Sequence, residues 1–401
     1  MKNAYLVNNG VLEKYTGKDS HIIIPDGVTA IGPCAFSGHK NIVSVTMPNS
    51  VTSIGDHAFE TCRNLISITI SSCVTIIGTA AFACCSSLKS ITIPEGVTSI
   101  GAATFKGCKA IRSITIPENV TNIGEHAFDG CSLIKSIAIP KGVTSIAASA
   151  FAGCKALKSI TIPMNVSSIG AVAFQDCKSL SDITIPEHVT SIGHHAFWGC
   201  ESLVDITIPE SVTSIESHLF QWCDSLENVT IPESVTSIGE HAFHGCISLT
   251  KITIPKNVTK IGAEAFGHCK SLKTITIPES VTSIGEYAFS ECLMLRSVRL
   301  LANIRSIEKN LFSYCKTLTF VAIPSGVTSI GARAFYACRQ LQAVKIPESV
   351  TSIGEMAFAD CPRLSDITIP DGVISDLEAV FKDTTSLADV VFTFSEGIKK
   401  R

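Results

Sequence analysis

The apolar positions of this chain keep a single beat. Phenylalanine stands at Phe36, Phe59, Phe82, Phe105 and every 23 residues onward to Phe381, sixteen times without an insertion or deletion. Valine or isoleucine fills a second column from Val28 to Val373, and leucine or isoleucine a third from Ile42 to Leu387. Self-similarity at a short fixed period marks a solenoid, in which one small unit buries its apolar face only against its neighbours. In the unit 231–253, Leu249 followed by Ile252 and Ile254 around polar Lys251 and Thr253 predicts a short strand with one buried face. Stacked, such strands form a parallel sheet. Pro232, Pro255 and Pro278 end the strand, because proline brings no N–H for further pairing. The following VTSIG turns Val235 and Ile238 inward and closes on Gly239, whose tolerance of positive φ suits a tight corner. The stretch EHAFHGC then has the spacing of a single helical turn or 3₁₀ segment.

Departures from the beat locate the ends. Residues 1–20 hold Asn9-Gly10 between two β-prone runs, the signature of a hairpin with a type I′ turn that would cap the first rung. Residues 21–370 form the solenoid, expected as one continuous body. Residues 371–401 keep Phe381 and Leu387 but place Asp376, Leu377 and Thr384 where other units have isoleucine, glycine and cysteine, so they read as a degenerate closing repeat and tail. Two internal units replace the corner glycine by Glu216 or Glu308 and, together with it, the alanine by Leu219 or Leu311, which reads as an alternative corner filled by a larger side chain.

Composition narrows the function. Acidic and basic residues nearly cancel, at 35 against 32, and neither is gathered in blocks, so no attraction to nucleic acid or to an anionic membrane is expected. The terminal Lys399, Lys400 and Arg401 are too few to alter this. No apolar run approaches the length of a membrane-spanning helix, so no membrane insertion is expected. The start, MKNAYLVNNG, has no apolar stretch of the kind a secretory signal needs, which fits either a cytoplasmic protein or one whose signal has been removed. Fourteen of the 17 cysteines fall in one column from Cys62 to Cys361, three residues after each phenylalanine. A column on one face is a buried row of small apolar fillers with weak S–H donors. The absence of any CxxC and the odd total argue against zinc and against a full disulfide framework.

The pattern LxxIxIPxxVTSIGxxAFxGC, as in Leu249 through Cys269, resembles the BspA-like leucine-rich repeats, also called the Treponema pallidum type. The likeness covers about residues 20–393, and the leading NNGVLEKYTG resembles the segment that opens such arrays. It implies an α/β fold: a right-handed, curved leucine-rich-repeat solenoid of about sixteen rungs with a parallel sheet on its concave side. It also implies non-enzymatic work at the cell surface or in secretion, in adhesion, host-matrix binding or protein–protein contact. This chain lacks the signal, sorting motif or anchor of the surface members, so its location stays open.

On that reading the concave sheet exposes two positions per rung. One is mostly threonine, and the other begins as serine and becomes charged at Asp182, Asp205 and Lys251. Towards the C-terminus these positions carry Arg299, Phe320 and Lys345, an aromatic between two cations of the kind that anchors protein interfaces. Repeat drift, or Phe320 folded onto a neighbour, accounts for the same residues. A second cluster lies between corner and cysteine, where seven of the eleven histidines fall between His188 and His268. Its outward positions pair His195 with Trp198, His218 with Trp222 and His241 with His244, an edge able to bind protein or sugar, or simply a solvated one. Stacked histidines also chelate transition metals, but no carboxylate or cysteine shares that face at a ligand spacing, so neither metal nor cofactor is expected. Residues that recur on every rung cannot supply a unique nucleophile or base, and no phosphate-binding loop interrupts the array, so catalysis is not expected. The leading reading is a protein-interaction or adhesion module working as a monomer. The alternative is a structural spacer or self-associating surface array. Ice binding by the threonine rows is disfavoured by the curvature.

Overall fold

A computed structural model describes residues 4–373 and 375–384 and the residue pairs 393–394 and 397–398. Leu387 and Lys399 to Arg401 lie outside the described residues. The chain is a parallel-strand solenoid of about sixteen 23-residue turns, and contacts group it into two compact units, Met1–Leu203 and Val204–Arg401. The sequence period runs through that division unchanged.

In each unit two ladders of very short strands run parallel, with pairing offset by one repeat. Ser159–Thr161 pairs with Asp182–Thr184 through Ile160↔Ile183, and Ser168–Ile169 pairs with Ser191–Ile192. In the second unit Ser237–Ile238 pairs with Lys260–Ile261, and Phe320–Ala322 with Ala343–Lys345. The inward residue of the triplet is buried at most rungs, as at Ile160 and Val321, and half-buried at Val229, while its two flanking residues face outward.

The phenylalanine column forms a ring stack in each unit. Phe36 and Phe59 lie 4.9 Å apart at 6°; Phe243 and Phe266 lie 5.4 Å apart, also at 6°. Centroid separations beyond the strand spacing of about 4.8 Å mean that the rings are offset, the geometry the aromatic quadrupole favours. The cysteine column runs beside them, unbridged and buried. Thiols of the column donate to the carbonyl of the phenylalanine 26 residues earlier, as from Cys62 Sγ to Phe36 O and from Cys246 Sγ to Phe220 O, both at 3.1 Å. The column therefore supplies the carbonyls of the rings' own backbone with partners, which a plain apolar filler would leave unmade.

The corner glycine has a different reason from the one its position suggests. Gly239 does not have positive φ. A Cβ there would lie 2.5 Å from the backbone nitrogen of Ser217 and 2.7 Å from the carbonyl carbon of Glu216, so glycine is needed for the close approach of successive rungs. Positive φ falls two residues later instead, at every rung from Cys34 to Met356, including His241 at 53° and Glu264 at 51°. A second left-handed position follows four residues on, as at Gly245 and His268. The expected short turn is thus a chain of i→i−3 turns with left-handed residues between them. This alternation aims the N–H groups of His241, Phe243 and Gly245 at the carbonyls of Ala263, Ala265 and Gly267, so the corner is also laddered.

The N-terminal hairpin, β1 (Tyr5–Asn8) and β2 (Val11–Tyr15), turns through Asn9 and Gly10, both at positive φ, and β2 pairs in parallel with Ala30–Ile31. Tyr15, fully buried, stacks on Phe36 at 5.3 Å and heads the ring column. At the far end, Asp376 caps the helix α1 (Leu377–Val380) by accepting from the backbone N–H groups of Glu378 and Ala379. Thr384 stands in for cysteine, its hydroxyl donating to Phe358 O at 2.7 Å. Thr384 thus keeps the Phe358 carbonyl paired as a cysteine would, and Asp376 supplies an acceptor to the first N–H groups of α1. Glu216 accepts a hydrogen bond from Ser214 Oγ at 2.6 Å and Glu308 one from Ser306 Oγ, while Leu219 and Leu311 are fully buried.

Candidate binding surfaces

Arg299, Phe320 and Lys345 all lie exposed on the outward face of the triplet strands, with Phe320 48% accessible. Their register differs from a simple row. Thr276 pairs with Arg299, and Ala322 with Lys345, so the two cations share the column in which Ala322 stands between them. Phe320 pairs with Ser297 and Ala343 in the neighbouring column. The aromatic is diagonal to the two cations, and the small Ala322 and Ala343 leave its ring unshielded on that side. At most other rungs the same positions carry serine, threonine, asparagine or aspartate.

The histidine edge departs further from its sequence reading. His195, His218 and His241 occupy the first left-handed column, with φ of 57°, 60° and 53°. Histidine is among the residues enriched at positive φ, so the column itself favours it. In the first unit His195 and His194 approach through their Nδ1 atoms at 3.0 Å, and Trp198 is half-buried. In the second unit His218 and His241 stack at 4.7 Å and 13°, and the Trp222 ring, 40% exposed, meets His244 edge-on at 5.0 Å. His244 is not outward: it is 5% exposed, with its ring 5.2 Å from His241 and 4.8 Å from His268. Burial, and secondarily the adjacent imidazoles of His268, His241 and His218, lower its pKa to about 4, so it is neutral at neutral pH.

The expectation that no carboxylate shares this face is overturned. Glu264, one rung beyond His241 in the same column, brings Oε2 to 3.5 Å from His241 Nδ1 and 3.2 Å from His244 Nδ1. His268, which the pairing rule did not single out, joins the cluster because residues 267 and 268 read Gly-His where the rung before reads His-Gly. That inversion is the signal that could have found it.

A family model described as the BspA type leucine rich repeat region, in six copies, matches residues 14–135, 131–250, 213–328 and 305–400. The chain belongs to this family. Among solved structures it is similar to a leucine-rich repeat protein from Bacteroides ovatus, with 29% identity and a TM-score of 0.75 over 98% of this chain and 96% of that one. It is also similar to a leucine rich cell surface protein from Faecalibacterium prausnitzii, with 29% identity and a TM-score of 0.52 over 96% of this chain and 97% of that one. A search of the curated proteins finds no match. Among the described residues no helix is long and apolar enough to cross a membrane.

Proposed function

We propose that this leucine-rich repeat protein is a non-enzymatic protein-binding module whose contact surface is the outward face of the triplet strands around Phe320. The observation that carries the reading is a large aromatic, 48% exposed, on a strand face otherwise lined by small polar groups, with Arg299 and Lys345 in the adjoining column. Aromatic and arginine side chains supply most of the energy of protein interfaces, and they do so on rigid elements that need no ordering. Leucine-rich repeat proteins in general bind other proteins, which supports the class of partner. A partner that presents an apolar pocket rimmed by carboxylates would complement this face. A surface or secreted location with an adhesive role is part of the proposal, and the name of the Faecalibacterium relative supports it.

The test is affinity capture from surface, matrix and mucosal fractions of the host and from the producing cell. Wild type is run beside the Phe320→Ala/Arg299→Ala double variant, whose two sites are exposed and whose fold is checked by circular dichroism. Selective loss of a captured protein with the variant is expected. Identical capture by both chains would refute the face.

A further inference from the structure

We infer that His241, His244 and Glu264 form a binding site for a divalent transition-metal ion of the zinc class. Wherever histidine occupies the first left-handed column with an acceptor three residues on, its Nδ1 is satisfied locally: His57 by Glu60 at 3.0 Å, His126 by Asp129 at 3.0 Å and His218 by Gln221 at 2.7 Å. At His241 that third residue is a second imidazole, His244, and the Nδ1 atoms of both rings are buried without a hydrogen bond. His244 is more than nine-tenths buried, so its orphaned nitrogen has no access to bulk water. Leaving such groups unmade is costly, and unlike the Nδ1 atoms of His194 and His195, which meet at 3.0 Å, these two make no hydrogen bond to one another.

The next rung supplies the third donor. Glu264 replaces histidine in the column, and its carboxylate stands 3.5 Å and 3.2 Å from the two nitrogens. The three ligand atoms lie within 4.8 Å of one another. Tetrahedral coordination with bonds of about 2.0–2.1 Å separates ligand atoms by roughly 3.4 Å, so small side-chain rotations close the set. Space is provided as well. Gly267 is the one glycine at its repeat position, and a Cβ there would come within 3.0 Å of His244 Nδ1. Glu240 Oε1 lies 3.4 Å from His241 Nε2, on the ring's other nitrogen, where an outer carboxylate is commonly found behind a metal-bound histidine.

A proton shared with Glu264 is the competing occupant. A metal ion requires both rings neutral, so proton and ion compete for the same nitrogens and metal binding weakens as pH falls. Two imidazoles with one carboxylate select zinc, cobalt, nickel or copper over magnesium and calcium, which prefer all-oxygen shells. Three protein donors leave a coordination position for water or for a group from a partner.

The experiment is titration of the full chain at pH 7.5, with a thiol-free reductant, by Zn²⁺ in competition with a chromophoric chelator, and by Co²⁺ followed through its visible absorption. One equivalent of Zn²⁺ is expected, with Co²⁺ bands of four-coordinate intensity and no response to Mg²⁺. The Glu264→Gln and His241→Ala variants, each at a partly exposed position, should each weaken binding at least tenfold while retaining the native circular dichroism spectrum. Absence of one-to-one binding by wild type, or wild-type affinity in either variant, overturns the site; the latter would assign the ion to another pair, such as His194 and His195.

Discussion

The cysteine column makes the fold sensitive to alkali. Twelve of its thiols have their pKa raised, first by burial and in several cases by neighbouring cysteines, to about 12 at Cys62, Cys108, Cys154, Cys292 and Cys361, against 9.0 for a free thiol. Between pH 9 and 12 the folded chain therefore holds protons that the unfolded chain has lost, and stability falls as pH rises. An ordinary thiol ionising in the unfolded state stabilises that state by about 0.4 kcal/mol at pH 9 and about 1.4 kcal/mol at pH 10. Over twelve rungs the loss is roughly 5 kcal/mol at pH 9 and roughly 17 kcal/mol at pH 10, as large as the whole stability of a typical domain. If the array opens in sections, the same loss applies rung by rung. Urea unfolding followed by circular dichroism under reductant at pH 7.5, 9 and 10 should show the midpoint falling at each step. Global unfolding at pH 10 should release about eleven protons. An unchanged midpoint between pH 7.5 and 10 would show that these thiols are not held protonated by burial.

Four further outcomes test the packing. Gly262→Ala, whose Cβ would lie 2.5 Å from Glu240 N and 2.6 Å from the Gly239 carbonyl carbon, should destabilise by about 2–3 kcal/mol in chemical denaturation. Gly326→Ala, whose nearest atom is Ile304 O at 3.6 Å, should change stability by less than about 0.5 kcal/mol. Thr384→Val removes the donor to Phe358 O and should cost about 1–3 kcal/mol in the same assay, whereas Thr384→Cys, which restores the column, should be close to neutral. With a chromogenic disulfide reagent at pH 8, exposed Cys34 and Cys73 should react in the native protein and half-buried Cys84 more slowly, with the fourteen column thiols appearing only on denaturation.

The periodic part of the fold was legible because each column has one chemical demand. Phenylalanine, valine and leucine at fixed spacing announce burial, and Asn9-Gly10 announces a turn whose two residues take positive φ. What a column does to its neighbours was less legible. Gly239 read as a φ requirement because that is glycine's commonest use, yet the constraint is the backbone of the preceding rung, a contact 22 residues away in sequence. The left-handed position at His241 had no glycine to mark it, since histidine, alanine, serine, valine and glutamate all occupy it on different rungs. Arg299, Phe320 and Lys345 were found as departures at the two outward positions of the strand, and the strand register shows which small neighbours, Ala322 and Ala343, stand beside them.

The histidine cluster shows how a repeat both hides and reveals chemistry. A column that tolerates histidine for backbone reasons collects it on many rungs, so the count of histidines between His188 and His268 is weak support for a site. The informative quantity is the residue three places on. An acid or amide there closes the imidazole's hydrogen bond within its own rung, and the histidine is then a satisfied corner residue. Only at His241 does that position carry another imidazole, with a carboxylate entering from the next rung and a glycine clearing the space beside it. Three departures from the repeat at 244, 264 and 267 converge within a few ångströms, although each taken alone resembles drift. In a solenoid, function is therefore best sought where departures on adjacent rungs are chemically complementary, and the metal titration of the Glu264→Gln variant asks whether these are.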